Sequence, residues 1–154
     1  MTDLITPDIR RLLDREWPTV EYEVDAAGIR LWAEAVGFDD PVFYDDDVAR
    51  SRGHEGIPAP PGFVGTPVRR FGEPDPGPPI RGLNPSLTRS LNGGTEFGSV
   101  VPIVAGDRLL ASTRIVDVQQ KTGTLGEMLI ITRETEYRRG SELVATVRAT
   151  VINY

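Results

Sequence analysis

Residues Trp32 to Phe63 read WAEAVGFDDPVFYDDDVARSRGHEGIPAPPGF. The stretch leaves a helix: Ile29, Trp32, Ala33 and Val36 recur at helical spacing, Asp25 is placed to cap the helix from Ala26 onward, and Gly37 is suited to stop it. Phe38 to Tyr44 therefore fall on a loop leaving an amphipathic helix, from which side chains can be aimed into a pocket. Asp45 to Arg52 has the length of a second short helix before Gly53. From Gly56 to Phe71 the chain gathers an apolar centre at Phe63 and Val64. There Pro60 and Pro61 can rigidify the entry and begin a helix that Pro67 limits.

Outward from this stretch, Leu4 to Arg15 can form a short helix with Ile9, Leu12 and Leu13 on its apolar face before Pro18 interrupts it. Thr19 to Val24 has strand character. Phe71 to Leu83, FGEPDPGPPIRGL, is too rich in proline and glycine for regular helix or central strand and is expected to run as a surface loop over one end of a sheet. Beyond it, period-two patterns dominate. Leu109, Ala111, Thr113 and Ile115 oppose Leu110, Ser112, Arg114 and Val116, while Leu129 and Ile131 oppose Met128 and Ile130. Leu143, Ala145, Val147, Ala149 and Val151 read as one face of a last strand. Turns are expected at Lys121-Thr122-Gly123 and at Tyr137 to Ser141. Early helices followed by long antiparallel strands give the α+β class, in one domain spanning residues 1–154.

The 17 basic and 23 acidic residues leave a net charge of −6, which argues against broad nucleic-acid or anionic-membrane binding while permitting a local phosphate-binding patch. With no cysteine, disulfides, thiolate catalysis and cysteine-ligated metals are excluded; with a single histidine, a transition-metal site has little to build on. The start, MTDLITPDIRRLLDREWP, lacks an apolar signal core and no long apolar run follows, so a cytoplasmic protein without membrane insertion is expected. Ser86 and Ser90 sit in no GxSxG elbow, and neither Gly-Gly nor Gly-Asp supplies a Walker loop or dinucleotide fingerprint.

Taken together, Gly37-Phe38-Asp39-Asp40-Pro41-Val42-Phe43, Asn92-Gly93-Gly94-Thr95-Glu96-Phe97, Val104-Ala105-Gly106-Asp107-Arg108-Leu109, Arg133-Glu134-Thr135 and the closing Leu143 to Ile152 resemble, in order and spacing, the MaoC-like enoyl hydratases and (3R)-hydroxyacyl dehydratases, and within them Gly93-Gly94 and Gly106-Asp107 resemble that family's turn elements. The resemblance is greater to their divergent N-terminal-domain branch, which includes the accessory subunit of the mycobacterial-type hydroxyacyl-ACP dehydratase. It implies a hot-dog fold, an antiparallel sheet wrapped around a central helix formed here by Gly56 to Phe71 in an unusually short or kinked version. It also implies a dimer, made with a catalytic MaoC-like subunit or with a second copy. The family's signature reads roughly Gly-Asp-x-Asn-Pro-x-His, its Asp and His carrying the chemistry. Here Phe38 stands at the Asp, Asp40 at the Asn and Phe43 at the His.

Hydrating an enoyl thioester requires activation of water, proton delivery to carbon and stabilisation of enolate charge; a carboxylate and an imidazole share that proton work, and two phenyl rings cannot. Phe38 and Phe43 are thus expected to serve as apolar packing or, with Phe63 and Val64, as the wall of an acyl channel. The rival is a relocated site built from Asp39, Asp40, Tyr44 or His54, although adjacent carboxylates commonly serve turns and helix N-termini and a lone loop histidine is commonly structural. On this reading the ligand is a coenzyme A or acyl-carrier-protein thioester, which Arg69, Arg70 or Arg81 could meet, and Phe71 to Leu83 could lie as a lid over an acyl tunnel. The expected role is a non-catalytic subunit of a heteromeric hydratase or dehydratase in lipid metabolism, without a further cofactor. The alternatives are a homodimeric acyl-thioester-binding module and an atypical lyase or thioesterase.

Overall fold

The computed structural model describes residues 3–13 and 15–154. Its frame is the meander of three long antiparallel strands that the alternating residues build: β4 (Arg108–Gly123), β5 (Gly126–Arg139) and β6 (Glu142–Asn153). β1 (Val20–Glu23) pairs with β4, the two-residue β2 (Thr66–Pro67) with β1, and β3 (Ser90–Ser99) with β6, giving the order β2-β1-β4-β5-β6-β3. One face of this sheet is buried: Leu109, Ala111 and Ile115 of β4, Leu129, Ile131 and Tyr137 of β5, Ala145 and Val151 of β6. The opposite face carries an ion ladder, with Glu134 accepting from Arg114 at 3.1 Å and from Arg148 at 3.0 Å. Alternation thus sets most of the apolar core on one face and the ion ladder on the other, with Arg133 as an inner-face exception.

Bulges modify that alternation. Register shifts at Ile115/Asp117 on β4 and at Tyr137/Arg138 on β5, so Val118 continues the inner face after Ile115, and Leu143 pairs with Arg138 on the outer side. The expected single face from Leu143 to Val151 therefore begins only at Ala145, because Val144 is the extra residue of the bulge. The hairpin turns are also tighter than expected. β4 runs through Gly123 to a Thr124-Leu125 turn, and β5 runs to Arg139 before Gly140-Ser141. Gly93-Gly94 is strand, at a register shift within β3, and not a turn: β6 supplies the pairing that local composition does not announce.

Two apolar clusters cover the inner face. In the first, α2 (Ala26–Val36) sets Ile29 among Val24, Ile57, Phe63, Ile103, Leu109, Ala111, Tyr137, Val144 and Ala145. Asp25 caps this helix by accepting from Gly28 N at 2.8 Å, and Gly37 ends it in the left-handed region at φ 80°. The second cluster gathers Leu4 and Ile9 over Ile115, Leu129 and Ile131, with Leu87 from the chain before β3. The N-terminal helix, α1 (Pro7–Arg10), is shorter than the expected Leu4 to Arg15, because Leu13 leaves it to bridge Ile115 at the β4 edge; Asp14 of that span lies outside the described residues.

The central helix expected from Gly56 to Phe71 is absent. This segment is extended and turned: Ala59 N donates to Ile103 O at 2.7 Å, Ala105 N donates to Ile57 O at 2.9 Å, Pro58 bridges Val104, and β2 joins β1. The cause is local. Pro58, Pro60, Pro61 and Pro67 remove helix donors, and Gly62 and Gly65 sit at φ 91° and 92°. The helical packing on the inner face comes instead from α2. Phe71 to Leu83 is free of helix and strand, as its composition predicts.

Candidate functional site

The loop from Phe38 to Tyr44 hangs from the C-terminus of α2. Asp40 caps a single turn of 3₁₀ helix, Pro41–Phe43, by accepting from Val42 N at 3.0 Å, and Asp45 caps α3 (Asp46–Ser51) by accepting from Asp47 N and Val48 N at 2.8 and 3.1 Å. Within this frame Phe38 and Phe43 meet ring to ring, with centroids 5.7 Å apart and planes tilted by 38°. Phe43 packs against the α2-side cluster, whereas Phe38 is 37% exposed. Phe63 is buried and its ring lies 5.8 Å from that of Trp32, which is 38% exposed; Val64 is partly buried against the same cluster. Phe38, Phe43, Trp32 and Phe63 thus form two aromatic pairs on the α2 side, flanked by the exposed Leu31 and Val36.

The polar candidates for relocated chemistry are engaged elsewhere. The Tyr44 hydroxyl donates to Phe38 O at 2.6 Å, and Tyr44 O accepts from Arg30 Nε at 3.1 Å. Asp40 takes both its cap bond and a two-oxygen contact from Arg52 Nη1, at 2.7 and 2.9 Å. The Val42 N–H, and after it the Arg52 guanidinium, hold its carboxyl below the usual carboxylate range. Asp39 is exposed on the same loop. His54 lies apart from them, following α3, and borders a cavity of about 250 Å³ with Gly53, Glu55, Val101, Pro102, Val104 and Arg139. No group of histidine, cysteine and carboxylate side chains that could hold a metal ion occurs among the described residues.

Arg69, Arg70 and Arg81 are exposed on the loops between β2 and β3, and they border neither this cavity nor one of about 360 Å³ framed by Arg15, Trp17, Ser112, Arg114 and Glu134. Two roles were not visible as roles in the sequence. Asp107, within Val104 to Leu109, accepts from Val104 N at 2.9 Å and from Arg139 Nε and Nη2 at 2.9 and 2.6 Å, locking the turn before β4 to the end of β5. Arg133 falls on the inner face of β5, between Thr135 and Ile131. The period-two count from Leu129 and Ile131 carries this signal, but a charged residue at that step reads naturally as a strand edge.

The model for the FAS1-like dehydratase domain region matches residues 13–147. A UPF0336 protein of Streptomyces griseus is 38% identical over 106 residues, which cover 69% of each chain. A probable enoyl-CoA hydratase alpha subunit of Thermomonospora curvata is 28% identical over 143 residues, covering 85% of this chain and 45% of that one. Among solved structures, a chain of the ChsH1–ChsH2 complex from Mycobacterium tuberculosis superposes with a TM-score of 0.72 at 23% identity, over 91% of this chain and 88% of that chain. The fold is accordingly the MaoC-like α+β fold related to the hot-dog dehydratases.

Proposed function

This chain belongs to the FAS1-like dehydratase-region family, and from that premise we propose that it is the non-catalytic subunit of a heteromeric enoyl-thioester hydratase or (3R)-hydroxyacyl-thioester dehydratase. The observation that carries this reading is the Phe38–Phe43 ring pair, at the two loop positions where the family signature places its acid and base. Phenyl rings neither take a proton from water nor deliver one to carbon, and losing such assistance removes a factor of roughly 10² to 10⁴. Asp40 and Tyr44 offer no ready replacement, since one is bound by Val42 N and Arg52 and the other donates to a backbone carbonyl. A relocated lyase or thioesterase site therefore draws less support.

In the proposed assembly, the partner contributes the Asp/His pair and the oxyanion donors. This chain lines the acyl path with Phe38, Phe43, Phe63 and Val64, and the carrier, coenzyme A or acyl carrier protein, is met by Arg69, Arg70 or Arg81. The free side of β3 supports a partner. β3 has ten residues, pairs among the described residues only with β6, and presents its outer N–H and C=O groups as a template for another strand. A second copy docking there is the alternative, giving a homodimeric acyl-thioester-binding module.

The test is hydration of trans-2-decenoyl-CoA by the purified chain, alone and after co-expression with a catalytic MaoC-like protein from the same genome, with the mass of the complex measured in parallel. Turnover is expected only from a mixed complex. Strong turnover by the homogeneous chain would overturn the proposal and return attention to Asp39, Asp40, Tyr44 and His54.

A further inference from the structure

We propose that Arg133 is an anion-recognition residue that makes the inner face of this sheet selective for acyl groups ending in a carboxylate; this rests on the acyl-thioester reading above and narrows its substrate class. The strand registers place two rows where the two apolar clusters adjoin. One runs Thr113, Thr135, Val147, Phe97, and the next runs Ile115, Arg133, Ala149, Thr95. Since alternate residues share a face, Arg133 stands on the inner side with Ile131, Thr135 and Tyr137.

Its surroundings separate it from the other arginines of the three long strands. Arg108 pairs with Glu21, Arg114 and Arg148 with Glu134, Arg138 with Glu136, and Arg139 with Asp107. Arg133 alone among them has no carboxylate within ion-pair distance among the described residues, and it is partly buried. Its charge is felt at the Tyr137 hydroxyl, where it opposes the effect of burial. A guanidinium withdrawn from water without a counter-charge is unfavourable, and its planar fork fits a carboxylate through two parallel hydrogen bonds.

The neighbours suit an aliphatic chain with a polar end. Ala149 and Thr95, beside Arg133 in its row, are small, while Val147 and Phe97 give an apolar track across β6 and β3. In the adjoining row the Thr113 and Thr135 hydroxyls lie 2.8 Å apart. From β3 to β5 the track spans two strand spacings, roughly 10 Å, the reach of a medium-length acyl chain. The extended course of Gly56 to Phe71 leaves Arg133, Val147 and Ala149 only partly buried, where a helix was expected.

The test is calorimetric titration of the full chain with decanoyl-CoA and with 9-carboxynonanoyl-CoA, which has the same acyl length, on wild type, Arg133→Met and Arg133→Lys. Thermal midpoints are recorded for each, and the titrations are repeated on the mixed complex. The wild type is expected to bind the carboxylate-ended ligand at least about tenfold more tightly, as one charge-assisted contact provides. Arg133→Met is expected to lose that preference while keeping its melting temperature, and Arg133→Lys to retain part of it. Equal affinities in the wild type, or a preference surviving Arg133→Met, would overturn the carboxylate assignment while leaving the subunit reading intact. Dissociation of the mixed complex by Arg133→Met with unchanged ligand preference would overturn it in favour of a subunit contact. Failure to bind either ligand in both preparations would overturn the acyl-thioester reading as well.

Discussion

Replacing Gly65 by alanine tests how the segment from Gly56 to Phe71 crosses the sheet without a helix. Gly65 precedes β2 and has φ 92°, and a Cβ placed there would lie 2.6 Å from Glu23 O and 3.0 Å from Val24 Cγ2. The oxygen belongs to β1 backbone, so relief requires β1 and β2 to separate. The left-handed conformation costs an alanine about 1–2 kcal/mol. Overpacking against backbone adds about 1–3 kcal/mol, for a total of roughly 2–5 kcal/mol. For a chain of this length each kcal/mol lowers the melting temperature by about 2–4 °C, so Gly65→Ala is expected to melt roughly 4–20 °C below wild type. Gly53→Ala is the control: φ is 88°, but nothing among the described residues crowds a Cβ there within 4 Å, so only the conformational cost remains, a loss of about 2–8 °C. Circular-dichroism melts and urea titrations of both variants read the difference. If Gly65→Ala and Gly53→Ala melt together, the close crossing at Glu23 is not what fixes this segment.

Two pH dependences follow from perturbed groups. The Val42 N–H and Arg52 depress the Asp40 carboxyl, so its stabilising contribution is present above the ordinary aspartate pKa of about 4 and is lost as pH falls through the lower folded value. Urea midpoints of wild type and Asp40→Asn are expected to differ by a constant amount near neutrality and to converge on acidification; a gap that persists through the acid limb would refute the assignment. Burial pushes the Tyr137 hydroxyl well above the usual tyrosine range, with Tyr22, whose ring it meets edge-on at 5.3 Å, adding to the shift. Its contribution is therefore full below about pH 10 and declines as pH rises further and the unfolded chain ionises. Phenolate absorbance is expected to show Tyr137 ionising only with unfolding, and Tyr137→Phe to lose that late step; early ionisation in the native state would contradict the burial.

Much of the architecture was legible residue by residue. Asp25 and Gly37 bound α2 because capping and left-handed termination are local chemistry, and the three long strands followed from alternation at period two. Local logic failed at Leu143, which a bulge moves to the outer face, and the resemblance misled at Gly93-Gly94, where pairing with β6 makes strand of the expected turn. For Gly56 to Phe71, Pro60 and Pro61 read as a helix start and the resemblance as a short or kinked central helix, whereas four prolines without donors and two left-handed glycines hold the segment extended.

The candidate site divides in the same way. That Phe38 and Phe43 cannot act as acid or base was readable from residue identity alone, because a phenyl side chain has no proton to exchange wherever the fold places it. Whether those rings touch, whether Tyr44 and Asp40 are free to react, and which arginine of the three long strands lacks a counter-ion among the described residues depend on groups brought together from separate strands and loops. The sequence by itself determined local propensity, side-chain chemistry and the alternation that builds the sheet. Only the tertiary structure decided register and partnership, because a single bulge residue reverses which side of the sheet every following side chain occupies and a charge's effect depends on what lies within a few ångströms of it.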